Sequence, residues 1–415
     1  MSRQPLLKKN NTKIHPSLRK KVRQSKLPSK NKVTIPVIIT FKQRVTEARL
    51  GSLQKHLKKH TLPIRHHLPM INSVSSSVSV HCLKQMCEWK GIDRVYLDKI
   101  KKTSLHIATP SIGATAVQQK KGLTGKGINI AILDTGVYPH ADLTRPANRI
   151  IAFKDFINHR IKPYDDNGHG THIAGDAAGN GWISRGKYKS PAPNAGLVGV
   201  KVLDKNGDGY DSTIIKGIEW CIANRKRLKI RILSLSFGGP VTPPCADDPL
   251  YQAVEKAVRA GLVVVIAAGN SGPGRKSIES PGISPSAITV GAVDDRRTLL
   301  QADDRISWFS SRGPTPGGRE KPDLVAPGET VISLRSPHSK LDRELPYLRI
   351  DKDYFILSGT SISTPIVSGV IAQMLQKNPS LTPKQVKSIL KKNTFSLKLH
   401  PNTAGAGEVN ARFLI

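Results

Sequence analysis

Acidic residues, aromatics and cysteines are all scarce in this chain, and it lacks long apolar runs. Only 30 Asp and Glu stand against 65 Lys and Arg, a formal charge of +35. Such a surplus attracts polyanions at low salt. Aromatics, however, make up only 5% of the 415 residues. No RNP-type aromatic run, zinc-finger spacing or helix-turn-helix pattern occurs, so specific nucleic-acid recognition is not expected. No run of 18 or more apolar residues exists, which excludes a membrane-spanning helix. The first thirty residues hold ten Lys and Arg with no apolar stretch behind them. A secretory signal peptide needs that stretch, so the expected compartment is the cytoplasm, with leaderless export as the alternative. Cysteine usage agrees, there being only Cys82, Cys87, Cys221 and Cys245. On a shared helix, Cys82 and Cys87 lie ~7.5 Å apart along the axis and point in different directions, out of disulfide range. No Cys/His cluster of metal type accompanies them, and all four read as reduced packing residues.

What is present divides the chain. The length suggests two or three units, and 38% hydrophobic residues suffice for a sizeable core. Residues 1–110 carry 24 basic and 4 acidic side chains, so much of the charge lies at the front. Residues 1–32 are basic and aperiodic, as in a disordered tail. Residues 33–105 read as a small α+β domain. Its strands are expected at 33–41, 70–80 and 91–97, with a helix striped by Leu50, Leu53 and Leu57 and another by Val80, Leu83 and Cys87. That order is β-α-β-α-β, a small sheet with helices on one face. From 106 to 415 the texture changes. Continuous Val/Ile/Leu runs at 128–133, 197–202, 230–235, 262–267 and 287–293 alternate with helical segments at 171–178, 212–224, 249–260, 361–376 and 382–391. Unbroken apolar strands alternating with helices predict an α/β fold: three layers, with a central, mostly parallel sheet covered on both faces. Ligands of such sheets bind at the carboxyl ends of the strands.

Four segments carry polar chemistry at such ends. Ala131-Ile-Leu-Asp-Thr-Gly136 ends an apolar strand on Asp134. Asn167-Gly-His-Gly-Thr-His172 opens a helix with His169. Ser358-Gly-Thr-Ser-Ile-Ser-Thr-Pro365 feeds Ser361 into another helix. Each alone has an ordinary explanation as a cap or turn. Together they supply nucleophilic acyl transfer: a weakly nucleophilic hydroxyl, an imidazole to take its proton, and a carboxylate to orient the imidazole. A helix N-terminus beneath the serine favours developing negative charge. The fourth segment, 263–273, puts Asn270 at the end of an apolar strand, where its amide and the Ser361 N–H can serve an oxyanion. The plain reading of Asn270 is a turn residue in Asn-Ser-Gly.

These four motifs, in the order Asp, His, Ser, resemble the subtilisin-like serine proteases, the subtilases, over residues 33–415. The layout is closest to the leaderless AprX-like branch. The resemblance implies a serine endopeptidase with Asp134 as orienter, His169 as general base and acid, Ser361 as nucleophile and Asn270 as oxyanion donor. It also implies that the segment 231–240 pairs as an added strand with extended protein or peptide substrates, Ser236 and Gly238 lining the channel. His172 corresponds to a packed structural histidine of the family. Glu279 falls where the family usually has a small residue at the floor of the specificity pocket, and a carboxylate there favours Lys or Arg before the scissile bond. The plainer readings are an alignment one residue out, or a Glu279 turned to solvent or paired with a nearby Arg. The 33–105 domain resembles the inhibitory propeptide of the family, an intramolecular inhibitor whose tail, 97–106, offers Lys99, Lys101 or Lys102 for self-cleavage. No cofactor is needed for the chemistry and no metal site is expected. A structural calcium has no clear motif: Asp204-Lys-Asn-Gly-Asp-Gly209 opens like an EF-hand loop but reaches Ile215 where a Glu belongs, and the calcium insertion of the family is not evident at 179–186.

Overall fold

The computed structural model describes residues 13–15, 18, 22, 34–57, 62–98, 105–241 and 245–415. The chain divides into two compact units, Met1–Lys101 and Lys102–Ile415. The expected cleavage positions Lys99, Lys101 and Lys102 lie outside the described residues.

The first unit is a four-stranded antiparallel sheet, in the order β2-β3-β1-β4, carrying two helices: β1 Thr34–Phe41, α1 Glu47–His56, β2 Ile64–Leu68, β3 Ser73–Ser79, α2 Val80–Glu88 and β4 Ile92–Leu97. Alternate residues of β1 (Ile35, Val37, Ile39, Phe41) are buried, the period of a sheet with one covered face. Thr46 and Ser79 cap the two helices by accepting from Arg49 N and Cys82 N. Leu50, Leu53 and Leu57 are buried as expected. On α2 the buried face is Cys82, Leu83 and Met86 rather than Val80, Leu83 and Cys87, because Val80 only opens the helix and Cys87 is half-buried. The sequence reading also omits β2. It is an edge strand whose Arg65, His66 and His67 are exposed, so no apolar alternation marks it. The disordered-tail reading of 1–32 does not apply to the few described residues there. Ile14 and Leu18 are buried in the core of this unit, and Ile14 bridges to Val95.

The second unit is built on an eight-stranded sheet. In chain order its principal elements are β5 Asn129–Asp134, β6 Ile150–Asp155, α3 His169–Ala178, β7 Gly196–Lys201, α4 Asp211–Asn224, β8 Ile230–Leu235, α5 Pro249–Arg259, β9 Val263–Ala267, β10 Ile288–Asp294, β11 Arg305–Ile306, β12 Leu324–Pro327, β13 Val331–Leu334, β14 Arg349–Ile350, β15 Tyr354–Leu357, α6 Thr360–Lys377 and α7 Pro383–Lys392. The strand order is β11-β10-β9-β8-β5-β7-β6, with β12 also on β10, and every pairing is parallel except β10 with β11. Both faces are covered, which is why the central strands are mostly apolar. Ile130 and Ile132 of β5 join the core that holds Ile173 of α3 and Ile366 of α6, while Ala131 and Leu133 face Ile218 of α4 and Val254 of α5. A separate antiparallel sheet, β13-β15-β14, lies outside this path. The strands missed in sequence are the edge strand β6, half-buried and ending in Lys154 and Asp155, the short strands β11 and β12 of the same sheet, and these short antiparallel strands. The four cysteines are free. Among the described residues, no helix is long and apolar enough to cross a membrane.

Candidate active site

Asp134, His169, Asn270 and Ser361 all arrive at the carboxyl side of the sheet because of where their elements end or begin. Asp134 is the last residue of β5, His169 the first of α3, Asn270 follows β9, and Ser361 sits in the first turn of α6. Asp134 is wholly buried. Its Oδ1 accepts from Thr135 N at 2.7 Å and from His169 Nδ1 at 2.8 Å, which leaves Oδ2 without a partner. Burial is the largest influence and works against a charged His169, but the Asp134 charge and hydrogen bond, joined by the Asp165 and Asp176 charges, outweigh it and the His169 pKa is raised. With Nδ1 committed to Asp134, the other ring nitrogen, Nε2, is left as the proton acceptor, and it has no hydrogen-bond partner among the described residues.

Asp165 joins the Asp134 loop to the His169 helix. Its Oδ1 accepts from Thr135 Oγ1 at 2.9 Å and Gly168 N at 2.8 Å, and its Oδ2 from Thr171 N at 2.8 Å and Thr171 Oγ1 at 2.7 Å. Thr135 Oγ1 in turn accepts from Gly170 N at 2.9 Å. Behind them Lys201, wholly buried, donates to Thr135 O at 2.6 Å, Asp166 Oδ1 at 2.7 Å and Leu203 O at 2.9 Å. A buried ammonium is tolerable only with such full pairing. The sequence reading missed Asp165 and Lys201. The only signal was their position, one just before the His169 motif and the other ending the strand beside β5.

Ser361 is backed by an arrangement that Pro365 makes possible. Proline has no N–H to donate to the carbonyl four residues earlier, so Ser361 O is released from the helix ladder. Ser236 Oγ donates to it at 2.9 Å. Ser236, expected on the channel wall, is buried, with its hydroxyl spent on this bond behind the nucleophile. Thr360, also missed, is wholly buried and holds the neighbouring loop. Asn270 Oδ1 accepts from Thr360 N at 2.9 Å and Thr360 Oγ1 at 3.1 Å, and Gly269 N donates to Thr360 Oγ1 at 3.2 Å. With its carbonyl oxygen so occupied, Asn270 has an NH2 group that, among the described residues, is free to donate.

A pocket of about 500 Å³ opens beside this loop, lined by Gly238, Pro240, Ser271, Lys276 and Glu279 among others. Its two walls are stitched together by Gly239 and Ser280, which exchange N–H···O bonds of 2.9 Å in both directions. Glu279 points inward rather than to solvent, its Oε1 accepting from Asn270 N at 3.1 Å and Ser271 Oγ at 2.7 Å. No ion pair joins it to an arginine among the described residues. His172 lies in the core, with Nδ1 on Asp176 Oδ2 at 2.8 Å and Nε2 on Phe355 O at 3.2 Å, as a packed residue does. Asp204 turns its Oδ1 back onto Asn206 N at 2.7 Å and Asp208 N at 3.0 Å, closing a surface turn. No group of three or more His, Cys, Asp or Glu side chains gathers as a metal set among the described residues.

The chain matches the family model described as the subtilase family over residues 125–413. It is 45% identical to the serine protease AprX of Bacillus subtilis (strain 168) over 397 residues, covering 94% of this chain and 89% of that protein. Against subtilisin Savinase of Lederbergia lenta it is 39% identical over 292 residues, 70% of this chain and 91% of that one. Among solved structures, a cold-adapted subtilisin-like serine proteinase superposes with a TM-score of 0.53 at 30% identity, covering 69% of this chain and 88% of the other.

Proposed function

Since the chain belongs to the subtilase family and is a serine endopeptidase, we propose that Asp134, His169 and Ser361 form its catalytic triad and Asn270 its oxyanion donor. The observation that carries this is the 2.8 Å bond from His169 Nδ1 to the buried Asp134, on the side of the sheet where Ser361 enters its helix. In this mechanism His169 Nε2 takes the Ser361 Oγ proton as Oγ attacks the scissile carbonyl carbon. The carbonyl electron pair moves onto oxygen, where Asn270 Nδ2 and Ser361 N–H receive it. His169, now cationic beside Asp134, returns its proton to the leaving amine as the C–N bond breaks. Water then repeats the sequence on the acyl-enzyme and frees Ser361.

Gly238 and the pocket beside it receive the substrate side chain, and Glu279 gives that pocket a preference for Lys or Arg. The substrate is an extended segment of protein. The first unit acts as an inhibitory propeptide that the enzyme removes from itself within 97–106. The free, buried thiol of Cys221 suits a reducing cytoplasm. No cofactor takes part in the chemistry.

The test is intact mass and N-terminal sequence of purified full-length protein beside Ser361→Ala. Wild type is expected to split between about residues 98 and 110 while the variant stays whole. If both split alike, or if wild type stays whole while it hydrolyses peptides, self-processing through Ser361 is refuted.

A further inference from the structure

Asn270 is exposed, and it follows Gly269, whose φ of +105° belongs to the left-handed half of backbone space that side chains avoid. An exposed side chain gains little from packing, so hydrogen bonds at its two ends fix its position. Thr360 holds the side-chain carbonyl. Among the described residues the backbone N–H is held by one atom, Glu279 Oε1, at 3.1 Å, and the same oxygen takes Ser271 Oγ at 2.7 Å. Glu279 is itself fixed to the strand that leads into this loop, its N–H donating to Ala268 O at 3.0 Å. Room for the carboxylate comes from two glycines. A Cβ on Gly269 would collide with the Glu279 carboxyl carbon, and one on Gly238 with Oε2.

We propose that Glu279 positions the oxyanion donor Asn270 through Oε1 while presenting Oε2 to the pocket, so that one carboxylate serves both the reaction centre and the substrate side chain. This rests on the oxyanion role of Asn270 proposed above. The two oxygens have separate tasks. Oε1 needs only to be a hydrogen-bond acceptor, which a neutral amide also supplies. Pairing with a cation at Oε2 needs the negative charge. Glu279→Gln therefore keeps the first task and loses the second, whereas Glu279→Ala loses both.

The experiment measures kcat and KM on peptides with Ala or Lys before the scissile bond, for wild type, Glu279→Gln, Glu279→Ala, Asn270→Ala and the Asn270→Ala/Glu279→Ala double variant. Alanine is too short to reach Glu279, so it isolates the positioning task. On the Ala peptide Glu279→Gln should stay within about threefold of wild type, and Glu279→Ala should lose about tenfold in kcat with KM nearly unchanged, the cost of a misplaced donor. The double variant should be no slower than Asn270→Ala, since Glu279 acts through Asn270. Preference for Lys should fall in both Glu279 variants. If Glu279→Ala retains kcat on the Ala peptide, if Glu279→Gln falls as far as Glu279→Ala, or if the double variant loses a further tenfold, the positioning role is overturned. If Asn270→Ala alone keeps wild-type kcat, the oxyanion assignment fails, and this inference with it. An unchanged Lys preference beside the tenfold loss supports positioning and overturns only the charge reading of the pocket. Should Glu279→Ala not fold, Glu279→Met takes its place, keeping the aliphatic stem and removing both acceptors.

Discussion

Gly170, the second residue of α3, is where the helix carrying His169 crosses the loop leaving β5. A Cβ built there would stand 2.2 Å from Gly136 O and 3.1 Å from Asp134 Cβ. Ordinary carbon–oxygen contact is about 3.2 Å, so Gly170→Ala must open the crossing by roughly 1 Å. The loop is held in place, because Gly136 bridges to Asp165 and Val137 N donates to Tyr164 O at 3.0 Å. The helix has to move, and the 2.8 Å bond between His169 and Asp134 must lengthen with it. A displacement of that size at a reacting group costs about 10²-fold in rate. We expect Gly170→Ala to lose about 10²-fold in kcat with KM little changed. Overpacking should also destabilise the fold by about 1–3 kcal/mol, partly offset by the ~1 kcal/mol by which alanine exceeds glycine in a helix. Peptide hydrolysis at saturating substrate and a thermal unfolding curve give both numbers. Gly274→Ala, where a new Cβ meets nothing within 4 Å, is the control. Wild-type kcat in a folded Gly170→Ala would refute the argument that this close crossing holds the pair in register.

Two further predictions concern pH. The raised His169 pKa means the base is neutralised late, so the acid limb of kcat/KM should lie above the ordinary histidine value of about 6.5; Asp134→Asn should bring it down and lower kcat about 10⁴-fold, read from a pH–rate profile. Glu408 is wholly buried beside Asp304, and burial followed by the Asp304 charge raises its pKa, while burial holds Asp304 itself at about 6. The folded state therefore keeps protons that the unfolded chain gives up above about 4.3, and stability should fall as pH rises from there through 6. Glu408→Gln cannot ionise, and thermal midpoints measured across that range should decline less steeply than in wild type; an equal decline would show that the pair does not carry it.

The parts of the fold written in continuous apolar sequence were legible: the buried strands β5, β7, β8, β9 and β10 and the helices between them lie within a residue or two of their expected places. A strand buried on both faces has no choice but to be apolar, and that burden shows in one sequence. Edge elements carry no such burden. Arg65 to His67 in β2 face water and β6 is only half-buried, and those strands exist because a neighbour offers a hydrogen-bonding edge. The same limit applied at the site. The residues with reactive groups stood in short motifs at strand ends, whereas Asp165, Lys201 and Thr360 act through bonds to partners far away in the chain. Ser236 is a similar case, since its hydroxyl turns inward to the Ser361 carbonyl, 125 residues on, which Pro365 leaves free of the helix ladder.

The helix α6 is buried along nearly its whole length, packed on β8, β9, β10 and β12 and on α3. That has a consequence in time. Ribosomes add about 5–20 residues each second, so Ser361 leaves the tunnel roughly 10–40 s after His169. Through that interval the nascent chain holds an aspartate and a histidine with no nucleophile, and the groove that α6 will fill is an open apolar trench. Contacts of such long sequence separation form slowly. The most vulnerable moment of this chain and its harmless moment are therefore the same, and it becomes able to cut only by closing the trench that left it exposed.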